Sequence, residues 1–497
     1  MMGTVGLLWG CGTLPPGGGV AAESGVEPAF HGESTTTTCT ALFQSLDTAI
    51  ARAGVADAQS QRIAGLPYLR INRFLAALTV DPAGPGFELW VDQLRALARA
   101  ARRAELANLP SRIDLDRQLA ATDRCAARLR AADLSDPARR AALLATTVAD
   151  AYHPLQRMLG LYPLTSQAFL LGVYGLHRET ARTFATPLEQ LAVHGRVQRF
   201  EPAPGPSPAE DRLPAAVRRS AANALGVPLP DPDTLADLFI AHAPVFEVDV
   251  VSPADLPGQP RLDGQGSPAV TGEARVYTLV SHARWRGTAL LQLNYVLWFP
   301  ARPRQGPLDL VGGPIDGITW RVTLGPDGRP LLYDAMHNCG CYYKAFPTPR
   351  ARVTERHRGW QEPISVPQQV PDGAGRLVLR LASTSHYLER VYRRSADGAP
   401  SGGGGRRTPA TSGYQLADYD ELRSLPAADG GRRSFFRGDG IVAGSERRER
   451  WVFWPMGVPE PGAMRQWGNH AIAFVGRRHF DDADLLERHF APAGTDP

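Results

Sequence analysis

Lysine is almost missing from this chain. Of 54 Lys and Arg residues, Lys344 is the only lysine. With abundant Ala, Gly and Pro, that imbalance reads as the codon bias of a GC-rich genome. The arginines alternate with acids and form no stripe, and the formal net charge is only +4. Groove binding to nucleic acid is therefore not indicated. Long apolar runs are lacking too: no segment reaches the roughly 18–20 apolar residues that a membrane-crossing helix needs. G-x-S-x-G, G-x-x-x-x-G-K-[ST] and H-E-x-x-H do not occur, and the Gly-rich stretches lack the strand–loop–helix setting of a nucleotide site. No βαβ alternation and no internal repeat stands out. What remains is a soluble globular composition, 43% hydrophobic and 21% charged over 497 residues. That length is enough for two or three domains with a real core.

The periodicity changes along the chain. Residues 12–38 are rich in Gly, Pro, Ser and Thr and read as a flexible tether. From Cys39 the apolar spacing is helical: Leu42, Leu46 and Ile50, then 72–78, then Trp90, Leu94 and Leu97, then Leu115–Ala132 behind a cap near Ser111 and Asp114. Asp136-Pro137 starts a helix that Pro154 should interrupt, and 167–184 continues apolar. Residues 39–195 thus read as an all-helical domain. The Pro-rich stretch 196–235 reads as a linker. From 236 the period becomes that of strands, at 245–251, 274–282, 288–299, 318–324, 329–334, 377–382, 386–391, 450–454 and 471–475. Gly325-Pro326-Asp327-Gly328 supplies a hairpin turn. Residues 395–413, with Gly402–Gly405, read as a disordered insertion. The expected class is α+β: an N-terminal all-helical domain (39–195) followed by an antiparallel β-rich domain (236–497).

One stretch concentrates reactive side chains: His337-Asn338-Cys339-Gly340-Cys341-Tyr342-Tyr343. If extended, His337, Cys339 and Cys341 share parity, so one zinc or copper ion would be in reach of all three. His282, His386 or His470 would complete the ligand set or act as base, and Asp316 sits on a nearby Gly-rich turn. Two other readings stand beside the metal: a local Cys339–Cys341 disulfide and two buried thiols. The matching functions are a metal-dependent hydrolase, in which an ion activates water, and a non-catalytic interaction protein. A thiol redox role ranks below both, because the spacing is not C-x-x-C. Asp316 also reads as simple turn chemistry, each lone His as a hydrogen-bonded structural residue, and Trp451, Phe453 and Trp454 as core.

The start of the chain, apolar through Gly10 and then Cys11-Gly12, resembles a bacterial lipoprotein signal. The resemblance implies lipidation of Cys11, a membrane anchor and a periplasm-facing location. Gly12, where inner-membrane retention would want Asp, implies the outer membrane. With Cys11 lipidated, Cys39, Cys125, Cys339 and Cys341 remain for disulfides, with three connectivities open. The pattern of 291–300 (LQLNYVLWFP), Asp316-Gly317, Tyr333-Asp334 and His337-x-Cys-Gly-Cys-Tyr resembles an uncharacterised group of proteobacterial membrane-associated proteins. That group brings no known activity, so it implies no site residues. A partner in the envelope is the remaining expectation.

Overall fold

The computed structural model describes residues 35–110, 114–203, 210–354, 361–370, 373, 375–394 and 409–494. The expected signal, the tether to residue 34 and Cys11 lie outside the described residues, as does 395–408 of the expected insertion.

Ten strands make one sheet: β1 (Arg196–Pro202), β2 (Val245–Val250), β3 (Arg275–Trp285), β4 (Thr288–Arg302), β5 (Gly313–Leu324), β6 (Pro330–His337), β7 (Lys344–Pro347), β8 (Leu377–Leu381), β9 (Leu388–Arg393) and β10 (Ala410–Asp418). Their spatial order is β7-β6-β5-β4-β3-β10-β1-β2-β8-β9. β4 is buried from Ala289 to Phe299 without a break. Leu291, Leu293, Tyr295, Leu297 and Phe299 enter the core on one face. Leu290, Val296 and Trp298 enter a second core on the other. Burial on both faces is why this strand reads as a continuous apolar run rather than an alternating one.

The sheet is mixed, which corrects the antiparallel expectation. β8 runs parallel to β2, and β10 runs parallel to both β1 and β3. β1 comes from the stretch expected to be linker, and β10 begins inside the expected insertion. The sheet also curls. Residues 361–370 bridge its two outer strands: the Ala345 N–H donates to Ser365 O (2.9 Å) and the Val370 N–H to Pro347 O (2.9 Å), both beside β7. On the β9 side, Gln368 Nε2 donates to Val391 O (2.5 Å) and the Val391 N–H to Gln368 Oε1 (3.4 Å). Both edges thereby find partners for backbone groups that would otherwise face water.

The N-terminal part is helix-rich but not all-helical. α1 (Thr36–Ala53), α2 (Gly86–Ala107), α3 (Leu115–Asp133) and α4 (Tyr162–Ala185) are its long helices. Thr35 caps α1 by accepting from the Thr38 N–H, and Asp114 caps α3 by accepting from the Arg117 N–H. Between α1 and α2 lies a β-hairpin, Gln61–Ile63 with Leu66–Ile71, turned at Gly65, where φ is +77°. The helix expected over 72–78 shrinks to Arg73–Ala76, and that over 135–159 splits into Pro137–Leu144 and Pro154–Leu159. Two expected strands are also absent: 450–454 is a helical turn, and 471–475 keeps one bridge, Ala471 with His479.

Cys39 of α1 is bonded to Cys125 of α3, one of the pairings left open by the sequence. The bond closes a loop across a separation of 86 residues. Serine at both positions is expected to lower unfolding stability by about 2–4 kcal/mol, through the entropy returned to the unfolded chain. A urea titration with and without reductant reads it; coincident curves would contradict it.

Candidate functional site: the His337–Lys344 loop and its cavity

β6 ends at His337 and the chain turns tightly. The His337 N–H donates to Cys341 O (3.0 Å), and the Gly340 N–H donates back to His337 O (2.7 Å). Only glycine fits at the apex: Gly340 has φ +92°, and a Cβ there would lie 2.4 Å from Ala471 O. Tyr342 also has a positive φ, of 59°. The segment is thus a turn, not the extended run that the shared-parity argument required. Cys341 lines a large cavity, and Cys339 faces a small adjoining space with His337 and Asp316, the two sharing Val311, Tyr342 and Glu449. Both cysteines are free thiols, so the expected Cys339–Cys341 disulfide is not formed. The Cys341 N–H donates to Cys339 Sγ (3.3 Å). The hydrogen bond with Cys339, together with burial, pushes the Cys341 thiol well above its usual pKa. Among the described residues, no three His, Cys, Asp or Glu side chains converge to hold a metal ion.

Behind the turn lies a chain of buried ionisable groups. His337 Nδ1 is 3.5 Å from Asp316 Oδ1, and His386 Nδ1 is 2.8 Å from Asp316 Oδ2. His386 Nε2 is 3.4 Å from Asp255 Oδ1. All four residues are at most 2% exposed, too dry for a charge without a partner. Burial alone would raise the Asp316 carboxyl; its hydrogen bonds to both histidines and their charges carry it well below the usual range. Burial would lower His386, but Asp255 and Asp316 raise it. Burial wins at His337 and pushes it down against Asp316. The two carboxylates thus favour the charged form of His386, and burial favours the neutral form of His337. Backbone N–H groups of Val251, Ser252 and Thr384 donate to Asp255, and Phe299 stacks on His386 with 3.9 Å between ring centres. Ile315, Thr384 and His386 have positive φ. The charges hold these corners in place.

The large cavity measures about 480 Å3, within the range of small-molecule sites. α4 forms one wall with Phe169, Gly172, Val173, Leu176 and His177, and the turn forms the opposite wall from Gly340 to Lys344. Phe453 packs edge to face on Phe169 (4.9 Å) and Phe474 (5.2 Å), and Phe169 and Phe474 are tilted at 6.0 Å. Lys344, Glu362, Glu449 and Tyr387 are its polar lining, with Glu362 accepting from the Phe474 N–H (2.8 Å). Burial lowers Lys344 to about 8 and raises Glu449 to about 7. His177 falls to about 4, through burial and then the charge of Lys344.

Of the expected site residues, the structure gathers His337, Asp316 and His386. His470 is close by, with Nε2 3.2 Å from Asn338 O, and burial holds it down at about 3. His282 is elsewhere: its Nε2 lies 2.8 Å from Pro228 O, it stacks on Phe74 and it lines a different cavity. Sequence reasoning missed α4, Glu362, Glu449 and Tyr387 as wall residues. It had Lys344 only as a count, although the sole lysine next to the Cys-Gly-Cys-Tyr-Tyr run was a signal. Compared with protein-family models, with curated proteins and with solved structures, the chain matches none.

Proposed function

We propose that this chain binds an amphiphile in the cavity between α4 and the 337–344 turn. The ligand's apolar body lies along Phe169, Val173, Phe453 and Phe474, and its polar head meets Lys344. The observation that carries this reading is the cavity itself: a largely aromatic and aliphatic space whose lining also includes Lys344 and Glu449. The surface around α4 supports it. Leu155, Met158, Leu159, Leu161, Leu164 and Leu171 are each at least 61% exposed, beside Trp451 and Trp454. Residues 151–178 contain no Asp or Glu, while Arg157 and Arg178 are there. Apolar side chains with tryptophans and arginines suit the face of a lipid layer. A lipid anchor at Cys11, in the outer membrane facing the periplasm, belongs to the same proposal.

This keeps the ligand half of the expectation at His337–Cys341. The metal-dependent hydrolase is left aside, because among the described residues no three metal-ligating side chains converge. The test uses Gly172, where a Cβ would meet nothing within 4 Å and which lines the cavity. Gly172→Phe is expected to reduce binding of a fluorescent long-chain fatty acid about tenfold or more while the unfolding midpoint stays within about 1 kcal/mol of wild type. Equal binding by the two proteins, or none by wild type, would remove the proposal.

A further inference from the structure

We propose that Lys344 is a carbonyl-capturing amine, whose Nζ forms an imine with an aldehyde or ketone at the head of an apolar ligand in this cavity. The inference rests on the cavity being a ligand site, and it names the ligand's reactive group.

Three observations lead to it. Every other cationic side chain of Lys or Arg type in the chain is arginine. Buried arginines in the fold are fixed by acceptors, carboxylates at Arg321 with Asp334 and Arg423 with Asp57 and backbone carbonyls at Arg447 and Arg465. Arginine cannot give up its proton, whereas lysine can. The single lysine is 6% exposed and lines the cavity. Among the described residues it has no carboxylate within ion-pair distance. Its Nζ donates weakly to Tyr342 O (3.4 Å) and lies 6.0 and 5.7 Å from the ring centres of Tyr342 and Tyr387. An ammonium in that setting is poorly compensated, so the neutral, nucleophilic amine is within reach near neutral pH.

The chemistry balances without any further reagent. The Nζ lone pair attacks the carbonyl carbon, the C–N bond forms and the C=O π bond opens onto oxygen. A proton passes from nitrogen to that oxygen to give a carbinolamine. Protonation of the hydroxyl then expels water, and the second N–H proton leaves as C=N forms. Glu449, raised to about 7 by burial, lines the same cavity and is a proton donor for that departure. Cys341 is no rival, since its thiol is held protonated. The aromatic walls favour a long apolar tail on the carbonyl compound.

The chain has one lysine, so mapping by mass has only an N-terminal α-amine to tell apart from it. The full chain is incubated with decanal or propanal and sodium cyanoborohydride, with a lysine-containing peptide in the same tube as control, and the products are mapped by mass. The expected result is a reduced adduct at Lys344, mapped apart from any at the N-terminal α-amine and formed with decanal about tenfold or more faster than with propanal once both are normalised to the peptide. Lys344→Met, which leaves no buried cation to compensate, should lose that adduct with an unfolding midpoint within about 1 kcal/mol of wild type. A labelled peptide beside an unlabelled Lys344 overturns the proposal, as does equal labelling by both aldehydes. The fatty-acid probe separates the two failures. If Lys344 stays unlabelled while wild type binds the probe and Gly172→Phe does not, only covalent capture falls. If the probe does not bind wild type either, the ligand site falls with it.

Discussion

Alanine at Asp316 is expected to cost the fold about 3–5 kcal/mol, the usual range for removing one partner of a buried ion pair. The carboxylate accepts from His386 and sits beside His337, and all three are at most 2% exposed. Without it, His386 keeps only Asp255, at 3.4 Å. Asn at the same position retains an acceptor and the volume, so its cost should be smaller. The pH dependence has two signs. The Asp316 pKa is depressed in the fold, so its contribution is complete above the unfolded carboxyl value of about 4 and fades as pH falls through the folded value. The His386 pKa is raised, so its contribution is complete below about 6.5 and fades as pH rises through the folded value. The wild-type advantage over Asp316→Ala should therefore peak in mildly acidic solution and shrink on both sides. Urea unfolding across that range measures it, and a flat difference below about 1 kcal/mol would contradict the account.

Alanine at Asp334 is expected to be comparably severe, about 3–5 kcal/mol, and to damage the cavity as well. Asp334 takes two parallel hydrogen bonds from Arg321, Nε to Oδ1 at 2.8 Å and Nη2 to Oδ2 at 2.5 Å. It also accepts from the Tyr343 hydroxyl at 3.0 Å, and Tyr343 lines the cavity. Arg321 in turn donates to Phe480 O (2.5 Å) and stacks 3.7 Å over the Phe480 ring. Removing the carboxylate strands a guanidinium that cannot deprotonate. Replacing both partners with apolar residues of similar volume should recover much of the loss, because a buried pair is costly mainly when half of it is missing. A double-mutant cycle on unfolding, with fatty-acid binding measured alongside, checks both parts. Equal stability of Asp334→Ala and the double replacement would refute the argument.

The local grammar was legible. β4, β5 and β6, the turn at Gly325–Gly328 and the capped helix α3 follow from periodicity and turn residues, and two of the five cysteines pair as one of the open arrangements allowed. Long-range pairing was not legible. β1 looked like linker because its neighbours in sequence are prolines, and its strand partners come from residues 246–250 and 410–414. The site was half legible. His337, Asp316 and His386 were each singled out, but only the fold shows that they form one chain of charges. Trp451 lies in a helical turn and is exposed, where an alternating aromatic pattern had suggested a core strand. α4 shows only an apolar stretch in sequence, and which face meets the cavity depends on what packs against it.

β10 acts as a keystone, and that sets an order of assembly. It pairs with β1, some two hundred residues earlier, and with β3, so the ladder of strands is continuous between the two halves of the sheet only through it. Contacts that distant close slowly. During synthesis α1 and α3 can meet, and Cys39 can find Cys125, long before residue 418 exists. The edges of β1 and β3 stay bare until the last fifth of the chain arrives. That interval is the time at which a nascent chain is most open to wrong edge pairing.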